Sequence, residues 1–275
     1  MYFRCVFLLL AVAVVRSAFP QNIRRITHRD GLSNSSILSL AQDADGYIWA
    51  GSCDGLNLWD GNSARHFRLS GNLIQEIVAT DDGYLWVRTN YGVDRFDTRD
   101  RRIEMLAGFQ RVYKFAARSR DEAFFLHGNK LYGYVASQGA FEPVDVLRMC
   151  LDGDGVLWLV RSEDIRCAQV AYDAGGRASV GEWERMPLPD GVVFTRYDGD
   201  RTIFFTDRNG MLFRFDTGQR RAFPIFDLRE ELGRRGALSS VISDKDDYVL
   251  AFGMSGVLRL RSTDPIEGRY ELQEI

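Results

Sequence analysis

The chain has 275 residues, 45% of them hydrophobic and 27% charged, with a formal net charge of -3. That is the make-up of a globular protein with one large or two small domains. Its 35 basic and 38 acidic residues are interspersed, so no one-signed surface is available for nucleic acid. Lysine occurs only at Lys114, Lys130 and Lys245, and every other basic residue is arginine. Pairs such as Arg24-Arg25 and Arg234-Arg235 read as solvated strand and loop positions.

At the start, Arg4 precedes the apolar run Val6 to Val15, which is followed by Arg16-Ser17-Ala18. A charged lead, a short apolar run and small residues beyond it describe an export signal, here residues 1–18. The run is too short to span a bilayer, and no later stretch is apolar enough to do so. The expectation is an exported, periplasmic chain whose domain occupies 23–275. Beyond the signal stand Cys53, Cys150 and Cys167, an odd number that argues against a disulfide framework. Cys150 and Cys167 fall on the first and third strands of one sheet, too far apart to bridge. Nothing in their spacing suggests a metal site or a cofactor.

Next comes a repeated unit. Asp43-Ala44-Asp45-Gly46-Tyr47-Ile48-Trp49 is followed by Asp54-Gly55-Leu56-Asn57-Leu58-Trp59-Asp60. It returns as Asp81-Asp82-Gly83-Tyr84-Leu85-Trp86, then Tyr91-Gly92-Val93-Asp94-Arg95-Phe96-Asp97. Trp49 to Trp86 and Gly55 to Gly92 are both separations of 37 residues. Such a period, made of short strands and tight turns, predicts stacked four-stranded antiparallel sheets, the blades of a β-propeller. The Asp side chains are expected to cap turn amides while Gly takes the positive φ of the hairpin. The tryptophans are expected to fill the space between adjacent blades.

Further along, a third, degenerate unit places Phe125 in the Trp position. The fourth restores the pattern at Asp152-Gly153-Asp154-Gly155-Val156-Leu157-Trp158. The fifth and sixth carry Phe204 and Leu250 in that slot. Six blades are therefore expected. Ile23–Thr27 is read as an orphan strand ahead of the first blade, placing His28 with it. Because propellers close by lending a strand to the last blade, this predicts an incomplete seven-bladed ring, the alternative being a closed six-bladed one.

Asp30-Gly31-Leu32-Ser33-Asn34, the Asp-Gly-x-x-Trp hairpin and the Asp54-Gly55-Leu56 turn, in this order, resemble the opening of two-component regulator propellers. The resemblance is sharp over 26 to 97, fair at 152 to 158 and weak elsewhere. It implies the periplasmic sensor region of a hybrid two-component system of the Bacteroidetes type. In that family the propellers detect oligosaccharides and pass the signal through a membrane helix to a histidine kinase. It also implies a possible homodimer through the full periplasmic region. No kinase histidine motif or receiver aspartate is present in these residues, so no enzymatic activity is expected of this chain.

Catalytic constellations are not evident. His28, His66 and His127 fall on different elements and do not converge. The paired turn aspartates offer too few oxygens for calcium. Ligand contact is therefore expected at the rim formed by the second-to-third-strand turns and the loops leading into each blade. The candidates are Asn34, Asp54, Asn90, Tyr91, Arg208 and Asn209, whose polar groups and one aromatic suit a sugar. Two other readings compete: a sialidase-like or lyase propeller enzyme, and a structural interaction scaffold.

Overall fold

The computed structural model describes residues 24–106, 112–127, 130–133, 137–140, 146–174, 178–188, 191–197, 202–253, 255–265 and 267–275. The export signal expected over 1–18 lies outside these residues. Blade one consists of β1 (Ile37–Gln42), β2 (Ile48–Ser52), β3 (Gly55–Trp59) and β4 (Ala64–Phe67). Blade two follows with β5 (Ile74–Ala79), β6 (Tyr84–Thr89), β7 (Val93–Asp97) and β8 (Ile103–Met105). Blade three has β9 (Lys114–Ala117), β10 (Ala123–His127), β11 (Lys130–Gly133) and β12 (Ser137–Ala140). Blade four has β13 (Val146–Leu151), β14 (Val156–Arg161) and the long β15 (Asp164–Tyr172). Its β15 pairs both β16 (Ala178–Val180) and β17 (Glu184–Pro187). Blade five comprises β18 (Phe194–Tyr197), β19 (Thr202–Thr206), β20 (Met211–Asp216) and β21 (Arg221–Asp227). Blade six comprises β22 (Ser240–Asp244), β23 (Asp247–Ala251), β24 (Val257–Asp264) and β25 (Arg269–Glu274).

Among the described residues every neighbouring pair is antiparallel and each sheet keeps its strands in chain order, giving five four-stranded sheets and one of five. This is the β-propeller architecture that the 37-residue period predicts.

What packs the blades is the aromatic slot of the second strand. Trp49 of blade one meets Phe96 of blade two edge-on, with ring centroids 5.2 Å apart. Trp86 reaches Phe125 of blade three at 5.6 Å, and Trp158 reaches Phe215 of blade five at 5.6 Å. Phe204 contacts Tyr248 of blade six at 5.4 Å. All three indoles are buried. Burying a large apolar side chain stabilises by about 1.5–3 kcal/mol, with about 0.5–1.5 kcal/mol more from edge-to-face geometry. Trp49 and Trp86 lie in different sheets, as inter-blade filler requires.

The sixth blade departs from the expected register. Leu250 pairs with Val241 and joins the cluster of Phe204 and Tyr248, so it faces back onto blade five. Val249, paired with Ile242 and Arg259, takes the forward-facing slot instead. The cause is the tight Asp244–Asp247 hairpin, which extends the ladder to the turn itself.

The two ends of the series also differ from its middle. Leu40, Ile77 and Met149 occupy equivalent first-strand positions, yet Leu40 is 52% exposed against 7% and 3%. On the forward face of blade six, Ile242 is 54% exposed. The buried apolar clusters link blades one to two, two to four, four to five, and five to six. None of them, among the described residues, joins blade six to blade one.

The orphan strand does not form over 24–27, which belongs to no strand. Its place is taken by a reciprocal cap: Thr27 N donates to Asp30 Oδ2 at 2.8 Å, and Arg29 N donates to Thr27 Oγ1 at 3.2 Å. This cap nucleates a short 3-10 turn, His28–Asp30, which carries His28 off any strand. Arg24 lies over the Trp59 ring at 5.0 Å, anchoring the lead-in to blade one. A helix absent from the sequence reading, α1 (Arg229–Arg235), links blades five and six. Its buried Glu231 pairs with Arg234 and Arg235, and Arg235 reaches on to Ser255 O at 3.0 Å.

Candidate functional site

The rim is built from the loops leading into each first strand and the turns joining second and third strands. A polar clamp that repeats with the blade period holds these segments. In blade one, Ser33 N donates to Asn57 Oδ1 at 2.9 Å and Ser33 Oγ lies 3.2 Å from Ser52 Oγ. In blade two, Ser70 N donates to Asp94 Oδ2 at 2.7 Å and Ser70 Oγ lies 3.3 Å from Thr89 Oγ1. Asn57, Ser52, Asp94 and Thr89 are buried, so each lead-in loop is fastened to the floor of its own blade. Burial pushes the Asp94 carboxyl above its ordinary range, and the Ser70 bonds only partly offset that push.

The six rim candidates do lie on these segments. Asn34 Oδ1 accepts from Ser36 N at 2.7 Å and so shapes its own turn. Asn90 locks two neighbouring segments together: its Oδ1 accepts from Leu73 N at 3.2 Å and its own N–H donates to Leu73 O at 3.1 Å. Asp54 is exposed at the tip of the blade-one turn, its N–H bound to Ser52 Oγ at 3.1 Å. Tyr91 stands on the equivalent turn of blade two, 66% exposed.

Arg208 and Asn209 belong to blade five. Arg208 Nη2 donates to Glu163 Oε1 of blade four at 2.8 Å, and the Asn209 N–H donates to Asp207 Oδ1 at 2.9 Å. The fold thus places Asn34, Asp54, Asn90 and Tyr91 on adjacent blades. It commits Arg208 and Asn209 to contacts of their own further round.

At the other end of the blades, the Asp turns behave as expected and do more besides. Asp43 Oδ1 accepts from Asp45 N at 3.1 Å and Tyr47 N at 2.9 Å, while Oδ2 accepts from the Trp49 indole at 2.7 Å. Asp152 repeats this with Asp154 N, Val156 N and the Trp158 indole, at 3.0, 2.9 and 2.7 Å. In blade two the equivalent residue is Thr80, and the Trp86 indole donates to Ser119 O of blade three at 2.9 Å.

The three histidines lie apart, on the 3-10 turn, β4 and β10. No group of three or more His, Cys, Asp or Glu residues is placed to hold a metal among the described residues. Cys150, Trp158 and Cys167 stand side by side across three strands of blade four. The indole thus separates the two thiols, and neither they nor Cys53 form a disulfide. Burial raises the Cys167 thiol above its ordinary range.

Fold and rim together define a β-propeller whose blades are built on capped Asp turns and inter-blade indoles. Residues 31–54, from the lead-in loop through the first hairpin, match the family model described as two component regulator propeller. The resemblance read from the sequence is therefore shown over the segment where it is sharpest.

No curated protein matches the chain in sequence. Among solved structures it is similar to the extracellular domain of the putative hybrid two component system BT4673 from B. thetaiotaomicron. The identity there is 20% and the TM-score 0.61, covering 89% of this chain and 34% of that one. A second is the extracellular domain of the putative hybrid two component system BT3049 from the same organism. It gives 14% identity and a TM-score of 0.58, covering 92% of this chain and 36% of that one. PorZ, a surface component of the type-IX secretion system of Porphyromonas gingivalis, gives 13% identity and a TM-score of 0.67, with 94% and 35% covered. These likenesses establish the fold, and the chain spans about a third of the length of each structure.

Proposed function

We propose that this chain is the sensory propeller of an exported hybrid two-component regulator, with a role in ligand detection and none in catalysis. The observation that carries the reading is the match over 31–54, which runs from the rim's lead-in loop through the first hairpin to Asp54 on the rim turn of blade one. The printed descriptions of BT4673 and BT3049 as extracellular domains of such systems point the same way. In this reading the export signal places the domain in the periplasm, and the full protein is anchored in the inner membrane.

The ligand is an oligosaccharide held at the rim of blades one and two. Asp54 offers carboxylate oxygens to sugar hydroxyls, and the exposed Tyr91 ring covers a C–H face of the sugar. Ligand contact shifts blade packing or a homodimer of the full periplasmic region, and a membrane helix passes the change to a histidine kinase. Thermal-shift and calorimetric screening of the full periplasmic region against a broad glycan panel tests the reading. A binding glycan whose affinity falls at least about ten-fold in Tyr91→Ala supports it. Silence across the panel removes the sugar, and binding that ignores Tyr91→Ala removes the rim.

A further inference from the structure

The base of the propeller carries the turns between first and second strands and between third and fourth strands. There, the junction between blades two and three is closed by the chain's own cations. The Arg95 guanidinium, 4% exposed, lies 5.7 Å from both the Tyr84 and the Trp86 ring centroids. It donates to Arg120 O at 2.6 Å and pairs with Glu104 and Asp121. Arg120 covers the Tyr84 ring at 5.3 Å. Arg95 holds this position because it stands directly across from Trp86 in the ladder.

One blade earlier the equivalent residue, across from Trp49, is Leu58. A leucine cannot reach out to stack or pair, and this junction holds a cavity of about 490 Å³. Trp49, Leu58 and Ala64 contribute its apolar surfaces. Tyr47, the counterpart of Tyr84, lines it with 44% of its surface exposed.

The charges around the cavity are unequally spent. Asp43 is saturated by two backbone amides and the Trp49 indole. Asp60 accepts from Asn62 N at 2.9 Å and Ser63 N at 2.8 Å, bonds that hold its carboxyl below the usual range. Asp45 is the remaining acid. Against it stand Arg65, Arg99 and Arg101, which also line the cavity and make no ion pair among the described residues, the Arg99 charge acting in part on the Asp97 carboxyl of its own turn. The unspent charge is positive, and guanidinium forks match carboxylate or sulfate oxygens in pairs.

We propose that the cavity between blades one and two binds an acidic sugar ring, its anionic group on Arg99 and Arg101 and its C–H face on Tyr47. The cavity volume falls within the range of small-ligand sites. The site lies at the opposite end of the blades from the rim and stands whether or not the rim binds anything.

Calorimetric titration of the chain with D-glucuronate, with D-glucose as the neutral control, tests the proposal. Glucuronate is expected to bind, more weakly as salt is raised, and glucose to bind at least about ten-fold more weakly. The double variant R99Q/R101N is expected to lose about ten-fold or more in glucuronate affinity. L58R, which installs the side chain that closes the next junction, is expected to abolish binding, while R261Q, which removes an exposed arginine of blade six, leaves it unchanged. Circular dichroism checks each fold; if L58R does not fold, the double variant decides. Absence of glucuronate binding, equal affinity for glucose, or full affinity in R99Q/R101N overturns the site. Loss confined to Y91A overturns it too and moves the ligand to the rim.

Discussion

The Trp49 indole N–H donates to Asp43 Oδ2 at 2.7 Å, joining the filler between two blades to the turn that opens its own hairpin. Asp43 thereby bonds three donors at once and is itself buried. Asp43→Ala removes all three bonds and leaves a buried indole N–H without its acceptor. The expected cost is about 3 kcal/mol, read by chemical denaturation with Trp fluorescence. Asp45→Ala, on the exposed side of the same turn, is expected to change stability by less than about 0.5 kcal/mol.

Asp94 and Asn57 do the same work 37 residues apart, but the acid carries a desolvation penalty that the amide avoids. The folded Asp94 carboxyl keeps its proton above the ordinary value of 3.8, so the folded state binds more protons in the window just above that value. Stability contributed there falls as pH rises through the window, and the penalty is complete above it. Asp94→Asn is expected to raise the melting temperature at neutral pH by about 2–4 °C, the advantage closing as pH falls below about 3. Equal melting temperatures at neutral pH would remove the penalty from the account.

A matched pair of core truncations compares the first blade with an internal one. Ile77→Ala is expected to cost about 2–4 kcal/mol, because its position is sealed by the neighbouring blade. Leu40→Ala, at the equivalent but half-exposed position, is expected to cost less than about 1 kcal/mol. Equal losses in urea titrations would show that the face of blade one is covered in solution.

Tyr172 places a buried hydroxyl with no hydrogen-bond partner among the described residues, and burial pushes its ionisation up to about 12. The folded state therefore keeps the phenolic proton that the unfolded chain releases near 10. Stability is lost as pH rises between those values. Tyr172→Phe is expected to leave stability at neutral pH equal or higher and to flatten the alkaline limb. A steeper limb in thermal melts between pH 9.5 and 11.5 would contradict it.

The first two blades were legible because local and long-range demands coincide there. Turn Asp, turn Gly and strand indole sit at fixed offsets, so one glance at Trp49 and Trp86 gives both hairpin and spacing. In blade six the forward-facing slot falls on Val249, one residue before the Leu250 that the repeat suggests, because the Asp-Gly mark is missing there. Once a turn tightens, side chains swap faces, and a period of two contains no memory of which face is inner. The helix Arg229–Arg235 was not foreseen, since its partners Ser255 and Glu274 lie far along the chain.

Of the six rim candidates, the placement on turns was readable and the availability was not. Arg208 is spent on Glu163, and Asn90 on Leu73. Nor could spacing reveal the base cavity, which depends on a leucine standing where the next blade has an arginine.

Sequence alone determined the repeat, the blade architecture and the residues that turn the chain, because those depend on neighbours within a few positions. Tertiary structure decided which acids are saturated, which arginines remain unpaired and which apolar faces stay open. Those properties belong to pairs of residues from different strands or blades, brought within bonding distance only when the sheets pack.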